Sequence, residues 1–300
     1  FFYPINPIRF FFRFIIFYFF FKQINTFTFD KVYKYLFLLI IIEAILVNNF
    51  INAWDLPNYP THIVNGRVTG HFATEGFNYQ RPYSFAAMAN VTAPLMVAIF
   101  ALLKFTKKIH FFLLFILMMV IMSGTGFLAF IVLLILKKEY GLIFLSLICY
   151  LIALYFINIE LVTLILSRVG IEQISSLMSL KYNQLFSNII DERMNNDSII
   201  SLINIFNQFQ LHNVLFGGLD ILAKEQYGTG GDFAWLWVYI CFGLVSIIFW
   251  ILLIAININR ENFIPITILI ISTFHYPVIF YLSGQIVFAY CLTRRPSSVS

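Results

Sequence analysis

Residues 233–259 form one unbroken stretch without a charged side chain, bounded by Asp232 and Arg260. An α-helix of about 20 apolar residues spans a hydrocarbon core of ~30 Å and satisfies its own backbone hydrogen bonds there, so such a stretch restricts the fold more than any motif. Further apolar runs fall at residues 10–21, 35–50, 85–103, 109–136, 140–159 and 263–292. None has the period-two alternation of a membrane barrel strand. Charged residues make up 11% of the chain and hydrophobic ones 61%, against roughly 25% charged in a soluble domain; the mean hydropathy is +0.87. The expected fold is all-α: a polytopic transmembrane helical bundle in a single integral membrane domain, residues 1–300. Phe1 stands where Met would, and an apolar run begins almost at once, so the true N-terminus is expected to be missing; no cleavable signal peptide is recognisable. Cys149, Cys241 and Cys291 lie in apolar runs without CxxC or metal-ligand spacing, which makes packing their expected role.

Basic clusters orient the chain, because Lys and Arg concentrate on the cytoplasmic side. Lys22, Lys31 and Lys34, then Lys104, Lys107 and Lys108, then Lys137 and Lys138, then Arg260, then Arg294 and Arg295 can all lie inside on one condition. The runs 109–136 and 263–292 must each go in and return. Half of the first run reaches only ~21 Å at 1.5 Å per residue, so both are expected to be short or re-entrant hairpins. Break signals sit at their midpoints: Ser123-Gly124-Thr125-Gly126 in the first and His275-Tyr276-Pro277 in the second. Two polar stretches, residues 51–84 and 160–232, then lie outside, where acids outnumber bases. The second is too long for a mere connection. Within it, residues 199–216 place Leu202, Ile205, Phe206 and Phe209 at helical spacing, which predicts an amphipathic helix on the membrane surface or over a cavity.

Walker, dinucleotide, HExxH and GxSxG motifs are all missing from the sequence, which leaves individual ionisable residues to weigh. Arg81 stands just before a span with Pro82 at the turn. Its planar fork of donors suits a diphosphate at headgroup level, and it suits equally an arginine snorkelling to lipid phosphate. Arg193 and Arg168 belong to the long loop and fit solvated charges as well as ligand contacts. His62, His71 and His212 are proton acceptors without distinguishing spacing. His275 and Glu43 lie at membrane depth, where an ionisable group faces a cavity or is hydrogen-bonded within the bundle. Asp232 precedes a helix whose unpaired N–H groups would stabilise its carboxylate, so capping competes with a chemical role.

The order of short motifs resembles one family. Arg81-Pro82-Tyr83 precedes a span, Ser123-Gly124-Thr125-Gly126 breaks a hydrophobic hairpin, and an arginine lies in a large outer loop that ends in Leu215-Phe216-Gly217-Gly218. Asp232 then opens a span with Gly243 eleven positions on. Over residues 61–285 the chain resembles the bacterial O-antigen and capsular polysaccharide repeat-unit polymerases and, more distantly, the O-antigen ligases. Asp232 stands where ligase-like members carry His-Asn, which favours the polymerases. Thr125 replaces an arginine common in ligase-like members, and Ser246 replaces an expected second glycine.

The resemblance implies a glycosyltransferase of the bacterial inner (cytoplasmic) membrane, with no cofactor and no metal, whose large loops are periplasmic. Its substrates would be undecaprenyl-diphosphate-linked glycan donor and acceptor. Membrane lipids and a chain-length regulator protein are the other implied partners, and nucleic acid is not one. By motif position, Arg81 and Arg193 would hold the diphosphate, with Arg67 and Arg168 in reserve. Asp232 first and Glu75 second would accept the proton, and His275 would face a cavity. An O-antigen ligase and a lipid-linked sugar flippase remain as alternatives.

Overall fold

The computed structural model describes residues 7–24, 29–49, 63–64, 67–68, 71–74, 77–86, 88–103, 105, 107–156, 204–205, 207–218, 221 and 234–294. Two helices open the chain, α1 (Pro7–Gln23) and α2 (Phe29–Asn49). Pro7 at the first helical position loses no hydrogen bond there, because the first-turn N–H groups have no partner within the helix. Two short antiparallel hairpins follow, β1 (Ile63–Val64) with β2 (Arg67–Val68), and β3 (His71–Thr74) with β4 (Phe77–Gln80), the latter in the register His71↔Gln80. They were not expected from the sequence. Each strand is two to four residues long, too short for a period-two signal to stand out.

The core is built around α3 (Ala89–Leu102), in which every residue except Asn90 is buried. A helix apolar on all sides belongs inside a bundle, and this one packs against α5 (Gly124–Leu136), α9 (Phe263–His275), α10 (Leu282–Thr293), α2 and α4 (Lys108–Ile121). Gly126 permits a close approach of α5 to α3, since a Cβ there would overlap that of Ala93.

Both apolar double runs are helical hairpins, as expected. In the first, α4 stops at Met122, whose φ of 50° is left-handed, and Ser123 caps α5 by accepting from the Gly126 N–H at 3.2 Å. In the second, α9 ends at His275 and α10 begins at Leu282, with a 3-10 turn over Val278–Phe280 between them. The outer helices α6 (Tyr140–Phe156) and α8 (Ala234–Asn257) complete the bundle. Lys31–Asn49 and Ala234–Asn257 are long and apolar enough to cross a membrane; the other apolar helices among the described residues are shorter.

Two expectations are corrected. The amphipathic helix over 199–216 is not continuous among the described residues: Gln208–Gln210 lie outside helix and α7 (Leu211–Phe216) starts afresh. Gln210 and Asn213 form a reciprocal capping box at its start, a local side-chain interaction that favours a new helix there over extension of the previous one. The uncharged stretch 233–259 is likewise not one regular helix, since Gly243 (φ 69°, ψ −168°) interrupts α8.

At one end, side-chain amides and one arginine tie five helices together. Asn262, fully buried, donates to the carbonyls of Asn257 and Cys291 and accepts from the Asn259 N–H. Asn259 donates to the Arg294 carbonyl, Arg294 reaches the Leu102 carbonyl at 2.9 Å and pairs with Glu261 at 3.4 Å, and the Tyr18 hydroxyl donates to Asn257. The C-terminal end of α3 thus lies at the knot, and its N-terminal end, with both hairpin breaks, lies opposite.

Candidate functional site

At that opposite end the segment Gln80–Asn90 is held from four sides. From α2, Asn48 makes a reciprocal pair with the Gln80 backbone, accepting from its N–H at 2.7 Å and donating to its carbonyl at 2.9 Å. One turn earlier on α2, Glu43 Oε1 accepts from the Tyr83 and Ser84 N–H groups at 2.9 and 3.1 Å. Those bonds fix a turn in which Ser84 has a φ of 54°, a conformation that costs a non-glycine residue energy and persists only where its surroundings hold it. From α3, Thr92 donates to the Tyr83 carbonyl at 2.6 Å.

The two hairpin breaks complete the enclosure. Arg81 Nη1 donates to the Met122 carbonyl at 3.3 Å, and Ser123 Oγ donates to Asn90 Oδ1 at 3.0 Å. On the other side, the Tyr276 and Tyr281 hydroxyls approach Met88 Sδ at 3.2 and 2.7 Å. The first turns of α8 adjoin the second break, where Trp235 Nε1 donates to the Ile270 carbonyl and the Trp237 ring meets Phe280 edge-on. The Arg81-Pro82-Tyr83 and Ser123-Gly124-Thr125-Gly126 motifs, some forty residues apart, are therefore one structural unit.

That unit carries polar capacity beyond what it uses. Gln80 Oε1, Ser84 Oγ and Thr125 Oγ1 are buried with no hydrogen-bond partner among the described residues, and a buried polar atom left so costs ~1–3 kcal/mol. The Ser84 and Thr125 hydroxyls can donate and Gln80 Oε1 can only accept, so with the half-buried Arg81 this end of the apolar bundle offers donors to an anionic group and an acceptor to a neighbouring hydroxyl.

A second pair of motifs also meets. Gly217 (φ 89°, ψ 172°) and Gly243 cross backbone to backbone: a Cβ on Gly217 would overlap the Cys241 carbonyl, and one on Gly243 the Leu215 carbonyl. The Gly218 N–H donates to the Ile240 carbonyl at 2.7 Å, supplying a partner where the helix is interrupted. Ser246 donates its hydroxyl to the Gly243 carbonyl at 2.9 Å, which adds a hydrogen bond at the kink.

Of the residues singled out from the sequence, Arg81 and Glu43 have side chains that the structure brings into this site. Arg67 lies on β2, and His275 is the last residue of α9, beside the second break. Asp232, Glu75, Arg193, Arg168 and His62 lie outside the described residues. His71 heads β3, and His212 is exposed on α7. Glu43 is hydrogen-bonded, one of the two expectations for it. Asn48 and Asn90 were missed; asparagine at the end of one apolar run and inside another was the available signal. Neither a family model, nor a curated protein, nor a solved structure matches the chain.

Proposed function

We propose that the chain is a multi-pass protein of the bacterial inner membrane that polymerises lipid-linked oligosaccharide repeat units on the periplasmic face, for O-antigen or capsule. The observation that carries this is the Arg81–Met122 hydrogen bond. It joins two motifs whose order suggested the family and puts a guanidinium at the tip of a hairpin too short to span a bilayer. The helices of that hairpin, 14 and 13 residues long, reach about 20 Å against the ~30 Å core, which favours a re-entrant arrangement with its tip in a polar cavity. The pairing of Leu215–Gly218 with Gly243 is a second coincidence of motif and contact.

In the reaction, the terminal sugar hydroxyl of an incoming repeat unit attacks the anomeric carbon of the donor glycan. The bond from that carbon to the diphosphate oxygen breaks, and undecaprenyl diphosphate departs with the bonding pair. The hydroxyl proton passes to a carboxylate, Asp232 or Glu75. Arg81 donates to the diphosphate as negative charge develops on it, with Arg193 as second cation and Arg67 and Arg168 in reserve; such preorganised donors act on the transition state more than on the ground state.

The test is the polymer ladder of the host strain on a gel. Arg81→Ala and Arg193→Ala, at normal protein levels, are expected to abolish it, and an unchanged ladder would remove both from catalysis. Loss of the gene separates the enzymatic alternatives: a strain lacking a polymerase still attaches one repeat unit, whereas one lacking a ligase attaches none. A flippase would form no glycosidic bond when the purified protein meets lipid-linked repeats in detergent.

A further inference from the structure

We infer that α7 is an interfacial helix seated in the outer leaflet, its occupant the lipid bilayer itself at the boundary between headgroups and acyl chains. This rests on α8 being a membrane span. Four observations carry it. The Gly217–Gly243 crossing and the Gly218–Ile240 hydrogen bond fix the C-terminal end of α7 to one level of α8. That level can be measured from the polar knot at Asn257–Asn262, which marks where α8 leaves the core: Gly243 lies about 21 Å along the helix from Asn257 at ~1.5 Å per residue, some ~9 Å inside the far boundary of a ~30 Å core. Interfacial helices bury their apolar face by about this depth, ~5–10 Å.

The exposed face of α7 has the matching chemistry. Leu211 is 79% and Phe216 67% exposed, and Leu215 is exposed beside them. The opposite side is occupied, since Asn213 is buried and spends its amide on the Gly217 carbonyl and the Gln210 N–H. Just past the crossing on α8, Leu244, Val245 and Ile248 are exposed, so that level of α8 carries exposed apolar surface of its own. Lastly, residues 198–219 contain no Lys, Arg, Asp or Glu, and the polar side chains Gln208 and Gln210 precede the N-terminal end of α7, with His212 in its first turn beside the apolar face. That end would sit among headgroups, where amphipathic side chains keep their polar atoms wet.

The full chain, carrying Cys149→Ala to remove its half-buried thiol, would be reconstituted in phosphatidylcholine nanodiscs with an environment-sensitive fluorophore on one cysteine at a time. Leu211→Cys and Phe216→Cys serve as two independent probes in case one disturbs the helix. Ile251→Cys, 60% exposed in the C-terminal half of α8, reports the span, and Gln208→Cys reports the polar side. The expected result is that probes at 211, 216 and 251 are quenched by lipids spin-labelled on the acyl chain, those at 211 and 216 most by a label near the headgroup, and the probe at 208 by aqueous iodide. Iodide quenching at 211 and 216 with lipid quenching at 251 would overturn the inference and leave the span intact. Shielding of 211 and 216 from both agents would mean a protein covers the face and would overturn it equally. Iodide quenching at 251 would remove the span and the inference together.

Discussion

Gly243→Ala tests the crossing that fixes α7 to α8. Gly243 occupies a region of φ and ψ that is essentially confined to glycine, and holding a Cβ residue there costs ~1–3 kcal/mol. The added methyl would also meet the Leu215 carbonyl, a backbone atom that cannot rotate away, and overpacking of this kind costs a further ~1–3 kcal/mol. The combined loss, about 2–6 kcal/mol, is a large share of the ~5–15 kcal/mol that holds a typical protein folded. At ~2–4 °C per kcal/mol, a fall in Tm of at least about 4 °C is expected. The assay is thiol-reactive dye fluorescence on heating in detergent, in the Cys149→Ala background, because Cys241 and Cys291 are buried and react only on unfolding. Gly217→Ala should behave alike. The double variant should lose less than the sum of the two, since both changes force apart the same pair of backbones. Gly141 in α6 is the control: a Cβ there meets nothing within 4 Å, so Gly141→Ala should hold or raise Tm by helix propensity. A Gly243→Ala protein with unchanged Tm, or strict additivity in the double variant, would refute the crossing.

Asn262→Ala removes three hydrogen bonds to backbone groups; at ~0.6–1 kcal/mol each the expected loss is about 2–3 kcal/mol, read by the same dye as a fall in Tm. Glu43→Gln keeps an acceptor for the Tyr83 and Ser84 N–H groups and should retain the polymer ladder, whereas Glu43→Leu leaves both without it and should lose polymer as the Arg81 segment loosens. Asp232→Asn or Asp232→Ser should keep most polymer if the residue caps α8; near-complete loss at normal protein level would assign it a chemical role.

Both helical hairpins were legible in the sequence because each break carried its own chemistry: Ser-Gly-Thr-Gly, with a serine able to cap α5, and His-Tyr-Pro, with a proline that stops α9. Positive charge at the ends of the runs added an independent constraint. The kink at Gly243 was not legible as a kink, since a lone glycine in an apolar run is compatible with a regular helix. What bends α8 there is the approach of Gly217, a partner 26 positions away in sequence. Continuity over 199–216 was over-read for a related reason. The spacing of Leu202, Ile205, Phe206 and Phe209 is helical, but Ile205 and Phe209 turn to the core and the capping box at Gln210 resets the phase, so that α7 presents a different set of apolar residues outward.

The contacts that join the motifs run largely through backbone atoms, and this explains why the motifs are so short. Arg81 reaches the carbonyl of Met122, Gly218 the carbonyl of Ile240, Glu43 the N–H groups of Tyr83 and Ser84, and Asn48 both backbone groups of Gln80. A backbone partner places no demand on its own side chain, so each contact constrains the identity of one residue rather than two: the one that must donate or accept, or the glycine that must carry nothing. Single residues fixed in this way, separated by apolar sequence that needs only to be apolar, leave scattered marks whose order is readable while their pairing is not. The same logic says which substitutions will be tolerated. Ile240 should accept any apolar residue of similar volume, and Met122, held at a left-handed φ of 50°, one unbranched at Cβ such as Leu, with little change in Tm or polymer, whereas Arg81→Lys, which keeps the charge and loses the planar fork, should not restore the ladder.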